Sequence, residues 1–267
     1  MQGLIHAGGP ARANRGGGMP ELHKGRYRVR PALGEDDLRA AQRLRWLCFI
    51  GDRHGMDDPD ARDADAHDAL CRHLLIEDSR SGQLAGCFRL LDLESGADID
   101  SSYSAQHYDL ERLRAFPAAM IEIGRFCVHP AHSGSDILRT AWAALTRHVD
   151  AAGAGLLFGC SSFPGTDAAG YEDAFAMLRD CHQAPPRWLP RMRAPEVVRF
   201  PPPPRRPDAS RARATMPPLL RSYLTMGGWV SDHAVMDRAL GTIHVFTGME
   251  VSAIPSSRAR ALRLLAG

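Results

Sequence analysis

A chain of 267 residues, 44% hydrophobic and 24% charged, has the composition of a soluble globular protein, large enough to bury a sizeable core in one large or two small domains. A formal net charge of +2 gives no global pull toward nucleic acid, and no apolar run approaches the roughly 18 residues of a membrane span. The six cysteines are widely spaced, with no C-x-x-C pair, which reads as buried reduced thiols rather than a disulfide framework or a zinc site.

The Gly- and Arg-rich stretch Met1 to Gly18 lacks the apolar segment of a signal peptide, and Met19-Pro20 reads as a start site. Residues 1–25 are therefore expected to be a disordered leader. Arg26 to Arg30 alternates like an exposed first strand. Asp36 or Asp37 is placed to cap a helix reaching about Ile50, with Leu38, Ala41, Leu44, Leu47 and Cys48 as its apolar stripe. An acid-rich loop, Asp52 to Asp68, precedes a hairpin of strands at His73–Glu77 and Leu84–Leu93. Residues 96–117 read as loop with a short helix at Leu110–Arg114, and 120–128 as a strand. A helix over about 136–151 follows, with Ser135 at its N-cap, then a strand at Leu156–Cys160, a loop at Ser161–Asp167 and a helix at Tyr171–His182. This order predicts a mixed α/β fold with a central sheet, its core spanning residues 26–182.

Residues 183–216 differ in kind. Between Arg187 and Arg213 lie eight arginines against two acids, with a dense run of prolines, so the segment is expected to be an irregular arm or insertion. A helix at about 218–226 and strands at Val230 and Thr242–Thr247 return within residues 217–267 to complete the same domain. The last dozen residues are basic and helix-prone.

The run Met120-Ile-Glu-Ile-Gly-Arg-Phe-Cys-Val128 carries ionisable Glu122 and Arg125 inside an apolar strand, and Leu84-Ala-Gly-Cys-Phe-Arg-Leu-Leu91 carries Arg89. Burying such groups is costly unless they are paired or given a task. Residues three apart on a regular strand point to opposite faces, so Glu122 and Arg125 act together only if Gly124 marks a β-bulge that breaks the pleat. Other chemistries find no support. Gly153-Ala-Gly155 precedes a strand instead of following one, no G-x-S-x-G surrounds Ser161 or Ser162, and none of the twelve histidines has H-x-x-x-H spacing. No metal or bound cofactor is expected.

The ordered set Arg45-x-x-x-Phe49, Asp65-x-x-Asp68, Gly86-Cys-Phe-Arg89, Glu122-Ile-Gly-Arg125-Phe resembles the polar framework of acyl-homoserine-lactone synthases, members of the GNAT acyltransferase superfamily. The stretches Phe158–Asp167, Pro217–Leu224 and Asp237–Val245 make the chain more similar still to the bacterial enzymes of ornithine-lipid synthesis that N-acylate L-ornithine. The resemblance covers about residues 27–250. It implies a GNAT-like, mostly antiparallel sheet with helices on both faces and strands splayed around a bulge near Gly124. It also implies an acyl-carrier-protein thioester as donor, since His132-Ser-Gly-Ser135 matches poorly the pyrophosphate turn of coenzyme-A-dependent relatives. Glu122 would then be the base and Arg125 its catalytic neighbour. Asp65 and Asp68 would hold the ammonium groups, Arg89 or Arg125 the carboxylate, and Arg45 and Phe49 would line the same cleft. The acyl and pantetheine path would run along Phe126, Cys127 and Val128, past Ser135 at the helix N-terminus, and along Phe158, Ser161 and Ser162, with Phe163 and Trp142 as further walls. The product would be a lyso-ornithine lipid, and the arginine-rich arm would meet acidic carrier protein or the anionic inner face of the cytoplasmic membrane. Alternatives in view are a homoserine-lactone-type synthase, an acetyl-CoA-dependent N-acetyltransferase, and a non-catalytic carrier- or membrane-binding module.

Overall fold

Period-two alternation decides which side of the sheet each strand residue faces. In the computed structural model, which describes residues 21–51, 60–132, 135–203 and 206–267, this alternation builds a nine-stranded sheet with helices on both faces. The N-terminal part consists of β1 (Leu22–Lys24), β2 (Tyr27–Pro31), helix α1 (Glu35–Trp46), β3 (Arg72–Asp78) and β4 (Leu84–Leu93). A strap of short helical turns follows, including α2 (Ser104–His107) and the two-residue β5 (Tyr108–Asp109), and leads into β6 (Met120–Val128) and helix α3 (Ser135–Ala152). Then come β7 (Leu156–Pro164), α4 (Glu172–Cys181), β8 (Arg191–Met192), β9 (Val197–Arg199), α5 (Ala209–Thr215) and α6 (Pro218–Thr225). The chain closes with the hairpin β10 (Trp229–Asp237) and β11 (Thr242–Glu250) and helix α7 (Ser256–Ala266). Strand order is β1-β2-β3-β4-β6-β7-β11-β10-β9. This is the mixed, mostly antiparallel GNAT-like fold that the resemblance implies.

Leu74, Ile76, Phe88 and Ile121 face α3, where Ile137, Ala141 and Leu145 complete one core. Their neighbours Leu75, Cys87 and Cys127 face the opposite side and pack on Ala41 and Leu44 of α1. Each fully buried Leu or Phe side chain is worth about 1.5–3 kcal/mol, so these two faces fix the register of the N-terminal strands. The strap at 96–116 covers the sheet further along, where Ile99, Tyr108 and Leu113 meet Phe158 and Phe246. Among the described residues no helix is long and apolar enough to cross a membrane.

Two irregularities open the sheet at its centre. Opposite β4 the register runs from Arg89–Gly124 to Cys87–Cys127, so Phe88 faces two residues, Arg125 and Phe126, on β6. The bulge predicted near Gly124 is therefore present, but the backbone turn falls on Arg125, whose φ of 52° lies in the left-handed region where non-glycine residues are uncommon. On its other side β6 pairs with β7 in parallel, and only over Met120–Glu122 against Leu156–Phe158. Beyond Glu122 the two strands part.

The parting point needs a glycine. A Cβ on Gly159 would sit 2.3 Å from the backbone oxygen of Ile123, and a backbone atom in a central strand cannot step aside cheaply. Gly159→Ala is expected to cost about 1–3 kcal/mol, as overpacking does, and to lower the thermal midpoint. A variant that melts with the wild type would show that this contact relaxes freely.

Several expectations need correction. The leader ends earlier than residue 25, because β1 pairs with β2 and buries Leu22; residues 1–20 lie outside the described set. Part of the acid-rich loop, residues 52–59, also lies outside it. No aspartate side chain caps α1: Gly34 is the N-cap, and the Asp37 carboxylate instead accepts the Leu33 N–H and pairs with Arg30. Ser161–Pro164 is strand, not loop, since β11 pairs along the whole of β7. The 183–216 segment is not simply an irregular arm. Its Val197–Arg199 forms the edge strand β9 on β10, its Arg191–Met192 pairs with β5, and it buries Phe200, Ala212 and Met216.

Candidate active site

The gap between β6 and β7 is a cleft of about 760 Å³. Among the described residues no strand pairs with β6 on this side beyond Glu122, so the backbone groups that point into the gap have no ladder partner there. One wall is α6, started by the Pro217-Pro218 step that fixes the first turn; the polar end carries Tyr103, Asp237 and His244.

Glu122 sits at the neck and is buried. Its carboxylate caps the strap: Oε1 accepts from the Ser104 N–H (2.7 Å) and Ser104 hydroxyl (2.6 Å), and Oε2 from the Tyr103 N–H (2.9 Å). A carboxylate has about four acceptor sites, which leaves one on Oε2 for a ligand. Burial pushes its pKa above the ordinary 4.5, against the opposing pull of the Ser104 bonds. Such a group is suited to take up a proton.

Glu122 and Arg125 do not form an ion pair with each other. Arg125 Nε donates to Asp63 (2.9 Å) and Nη2 to Asp65 (3.1 Å), and its guanidinium stacks 4.7 Å above the Tyr103 ring centroid. Behind it, Arg45 binds Asp63 (3.0 Å) and Asp68 (2.7 Å), while Arg89 grips Asp65 through two bonds (2.6 and 2.8 Å) and reaches Asp68 (2.7 Å). Three acids and three arginines thus balance in one network, with Arg45 and Arg89 almost completely buried. Burial alone would raise the Asp65 and Asp68 carboxyls, but the arginine hydrogen bonds hold both below 3.8. Such a network orders the α1 end, the turn at Ala66–Ala69 and β4 around the bulge.

This pairing corrects part of the expected site. Asp65 and Asp68 are committed to arginines and stand behind the cleft wall with Arg45 and Arg89, so the acids expected to hold ammonium groups are neutralised by the protein itself. Phe49, Glu122, Arg125, Phe126, Cys127 and Val128 do line the cleft, as do Ser135, Ser161 and Ser162. Phe158 does not: it is fully buried against Phe246, Phe163 packs on Phe175, and Trp142 is held edge-on by Tyr223. Ser161 accepts from Thr247 (2.9 Å) within the sheet, while Ser162 is half-buried beside it. The approach to the helix N-terminus along the expected pantetheine path includes residues 133–134, which lie outside the described set.

Four residues at or beside the polar end, Tyr103, His107, Asp237 and His244, are not among the site residues expected from the sequence. Tyr103 bridges the site: its N–H serves Glu122 and its hydroxyl donates to Asp237 (3.2 Å). His107 and His244 pack ring to ring at 4.9 Å, and with Asp237 they form a group of the described residues able to hold a metal ion. Asp237 and His244 lay inside a stretch singled out by resemblance, but no spacing rule links them to residues 103–107.

Comparison with known proteins gives the chain's family. Residues 44–143 match the acetyltransferase (GNAT) domain model. An L-ornithine N(alpha)-acyltransferase from Rhodobacter capsulatus is 33% identical over 245 residues, covering 85% of this chain and 91% of the relative. The enzyme of the same name from Brucella abortus is 31% identical over 253 residues, 87% of each. Among solved structures, an N-acyl amino acid synthase from uncultured soil microbes, FeeM, superposes with a TM-score of 0.49 at 10% identity, over 90% of this chain and 97% of its own. With a relative above 30% identity aligned almost end to end and a GNAT domain across the central strands, the chain belongs to the L-ornithine N(alpha)-acyltransferase family.

Proposed function

We propose that the protein moves a 3-hydroxyacyl group from acyl carrier protein to the α-amine of L-ornithine, giving a lyso-ornithine lipid. The observation that carries this reading is the cleft between β6 and β7, with buried Glu122 at its neck and apolar walls beyond it. In this mechanism the free acceptor site of Glu122 takes a proton from the α-ammonium. The neutral amine attacks the thioester carbonyl, and backbone amides of the unpaired stretch of β6 stabilise the tetrahedral oxyanion. Collapse breaks the C–S bond, and the second proton that the attacking nitrogen gives up passes to the departing sulfur, with the Ser162 hydroxyl that lines the cleft as relay. Arg125, the one arginine of the buried network that lines the cleft, takes the ornithine carboxylate.

The donor arm would enter between the splayed strands, and the acyl chain would lie along Phe126, Val128 and α6. Exposed arginines at 191, 193, 199, 206, 211 and 213 support docking of an acidic carrier protein and contact with an anionic cytoplasmic membrane surface. Arg205 lies outside the described residues.

Purified protein supplied with 3-hydroxyacyl carrier protein and ornithine is expected to release free carrier thiol, with N-acylornithine detected by mass spectrometry. Parallel reactions with acyl-coenzyme A, acetyl-coenzyme A and S-adenosylmethionine separate the alternatives. Thiol release with one of those and none with ornithine would refute the proposal.

A further inference from the structure

The polar end of the cleft contains a second built feature that the acyl-transfer steps do not use. Asp237 at the end of β10, His244 on β11 and His107 at the end of α2 each present one atom, and the three atoms lie within 4.8 Å of one another. Nε2 of His107 and Nε2 of His244 are buried and have no hydrogen-bond partner. Orphaned buried polar atoms are rare and call for an explanation.

Their protonation follows from their surroundings. The single Tyr108 hydroxyl proton goes to the His244 carbonyl (2.8 Å), so its oxygen accepts from Nδ1 of the same histidine (3.2 Å). The His244 proton therefore sits on Nδ1, and Nε2 is a bare lone pair. Burial, followed by the repulsion of His107, lowers the His244 pKa to about 3, and burial lowers that of His107 against the pull of Asp237. Two neutral imidazoles thus stand beside a carboxylate.

Asp237 is distinct among the acids here. Oδ1 accepts from the Leu240 N–H (2.9 Å) and Oδ2 from the Tyr103 hydroxyl, and no lysine or arginine pairs with it among the described residues. Asp63, Asp65 and Asp68 by contrast are all taken by arginines. The result is a site where a carboxylate without a cationic partner, the Nε2 lone pair of His244 and the neutral His107 ring lie together.

We infer that Asp237, His107 and His244 form the subsite for the side-chain ammonium of the acceptor. An ammonium has three N–H donors and no acceptor, which matches the Asp237 carboxylate and the His244 lone pair, with the neutral His107 ring beside them. Tyr103 adds a ruler. Its N–H rests on Glu122 and its hydroxyl on Asp237, so the two carboxylates stand roughly one tyrosine apart, on the same scale as the three-methylene arm between the amines of ornithine. The inference rests on the proposed acceptor and assigns each amine its own carboxylate: the α-amine to Glu122 and the distal one to Asp237.

The test compares ornithine with norvaline, which is ornithine without its δ-ammonium, at a fixed acyl-thioester concentration. Wild type should favour ornithine in kcat/KM, and Asp237→Asn should reduce that preference roughly 10- to 100-fold, mainly through the ornithine KM. His244→Gln should reduce it in the same direction. An unchanged preference ratio in Asp237→Asn would overturn the subsite even if both amines are acylated more slowly. Wild type that acylates neither amine would refute the acceptor reading and the subsite with it. Stoichiometric zinc retained by wild type after dialysis, and lost in Asp237→Asn, would overturn the inference by assigning the three ligands to a metal.

Discussion

Glu122→Gln should lower kcat for ornithine acylation by roughly 10²- to 10⁴-fold, the usual contribution of a positioned base. The substitution removes the negative charge and sets an amide N–H against donors that now converge on the carboxylate. A stability loss of about 1–3 kcal/mol should accompany it, so rate alone does not separate catalysis from structure. The pH profile does. Glu122 must be ionised to accept a proton, and burial holds its pKa above 4.5. Wild-type kcat/KM should therefore rise with pH through a limb displaced above 4.5, and that limb should vanish in Glu122→Gln. A variant with a wild-type rate and an intact acid limb would remove Glu122 from the chemistry.

Asp68→Ala should be the most damaging change to stability at the site, costing about 3–5 kcal/mol because it leaves buried Arg45 and Arg89 each with one acid fewer and removes the partner of Gln42. For a chain of this size that is a drop on the order of 10 °C in thermal midpoint. The same network sets the acid limit of the fold. The Asp65 and Asp68 carboxyls titrate below 3.8 when folded and near that value when unfolded. Their contribution is fully present above 3.8 and is lost as pH falls through the depressed folded values, where the unfolded chain binds protons more readily. Thermal midpoints between pH 3 and 7 would show this slope in wild type. Asp68→Ala, having lost one of the two groups, should show a shallower one; equal slopes would place the acid sensitivity elsewhere.

The chain's charged residues were legible before their partners were. Glu122, Arg125 and Arg89 stand out because they interrupt apolar strands, and the bulge follows from strand period and Gly124. Pairing is a property of the assembled sheet: nothing in the spacing says that Asp65 faces Arg89 and Arg125 instead of a substrate. Phe158 and Trp142 belong to the core, which no local signal marks, because an aromatic in a strand or helix looks the same whether it meets core or cavity. Tyr103 and His107 lie in a strap of short turns with no periodicity to read, and their partners come from the opposite end of the chain. The proline content of 183–216 hid β9, which is tolerable because it is a short edge strand whose outer side needs no ladder donors.

The parallel seam between β6 and β7 has a consequence for assembly. In the main sheet β1–β4 and β6 come from the chain up to Val128, and β7 and β9–β11 from Leu156 onward, so each half-sheet closes its antiparallel ladders within its own stretch of sequence. Within the main sheet only the three register pairs of the seam join the halves among the described residues, and the two-residue ladder of β5 with β8 is a second, separate tie between them. A chain cut between Val128 and Ser135 would leave each fragment a whole half-sheet, an exposed edge strand and one wall of the cleft. The cleft is thus a product of docking: neither half of the gene encodes it, and it comes into being only when the two edges meet and fail to zip.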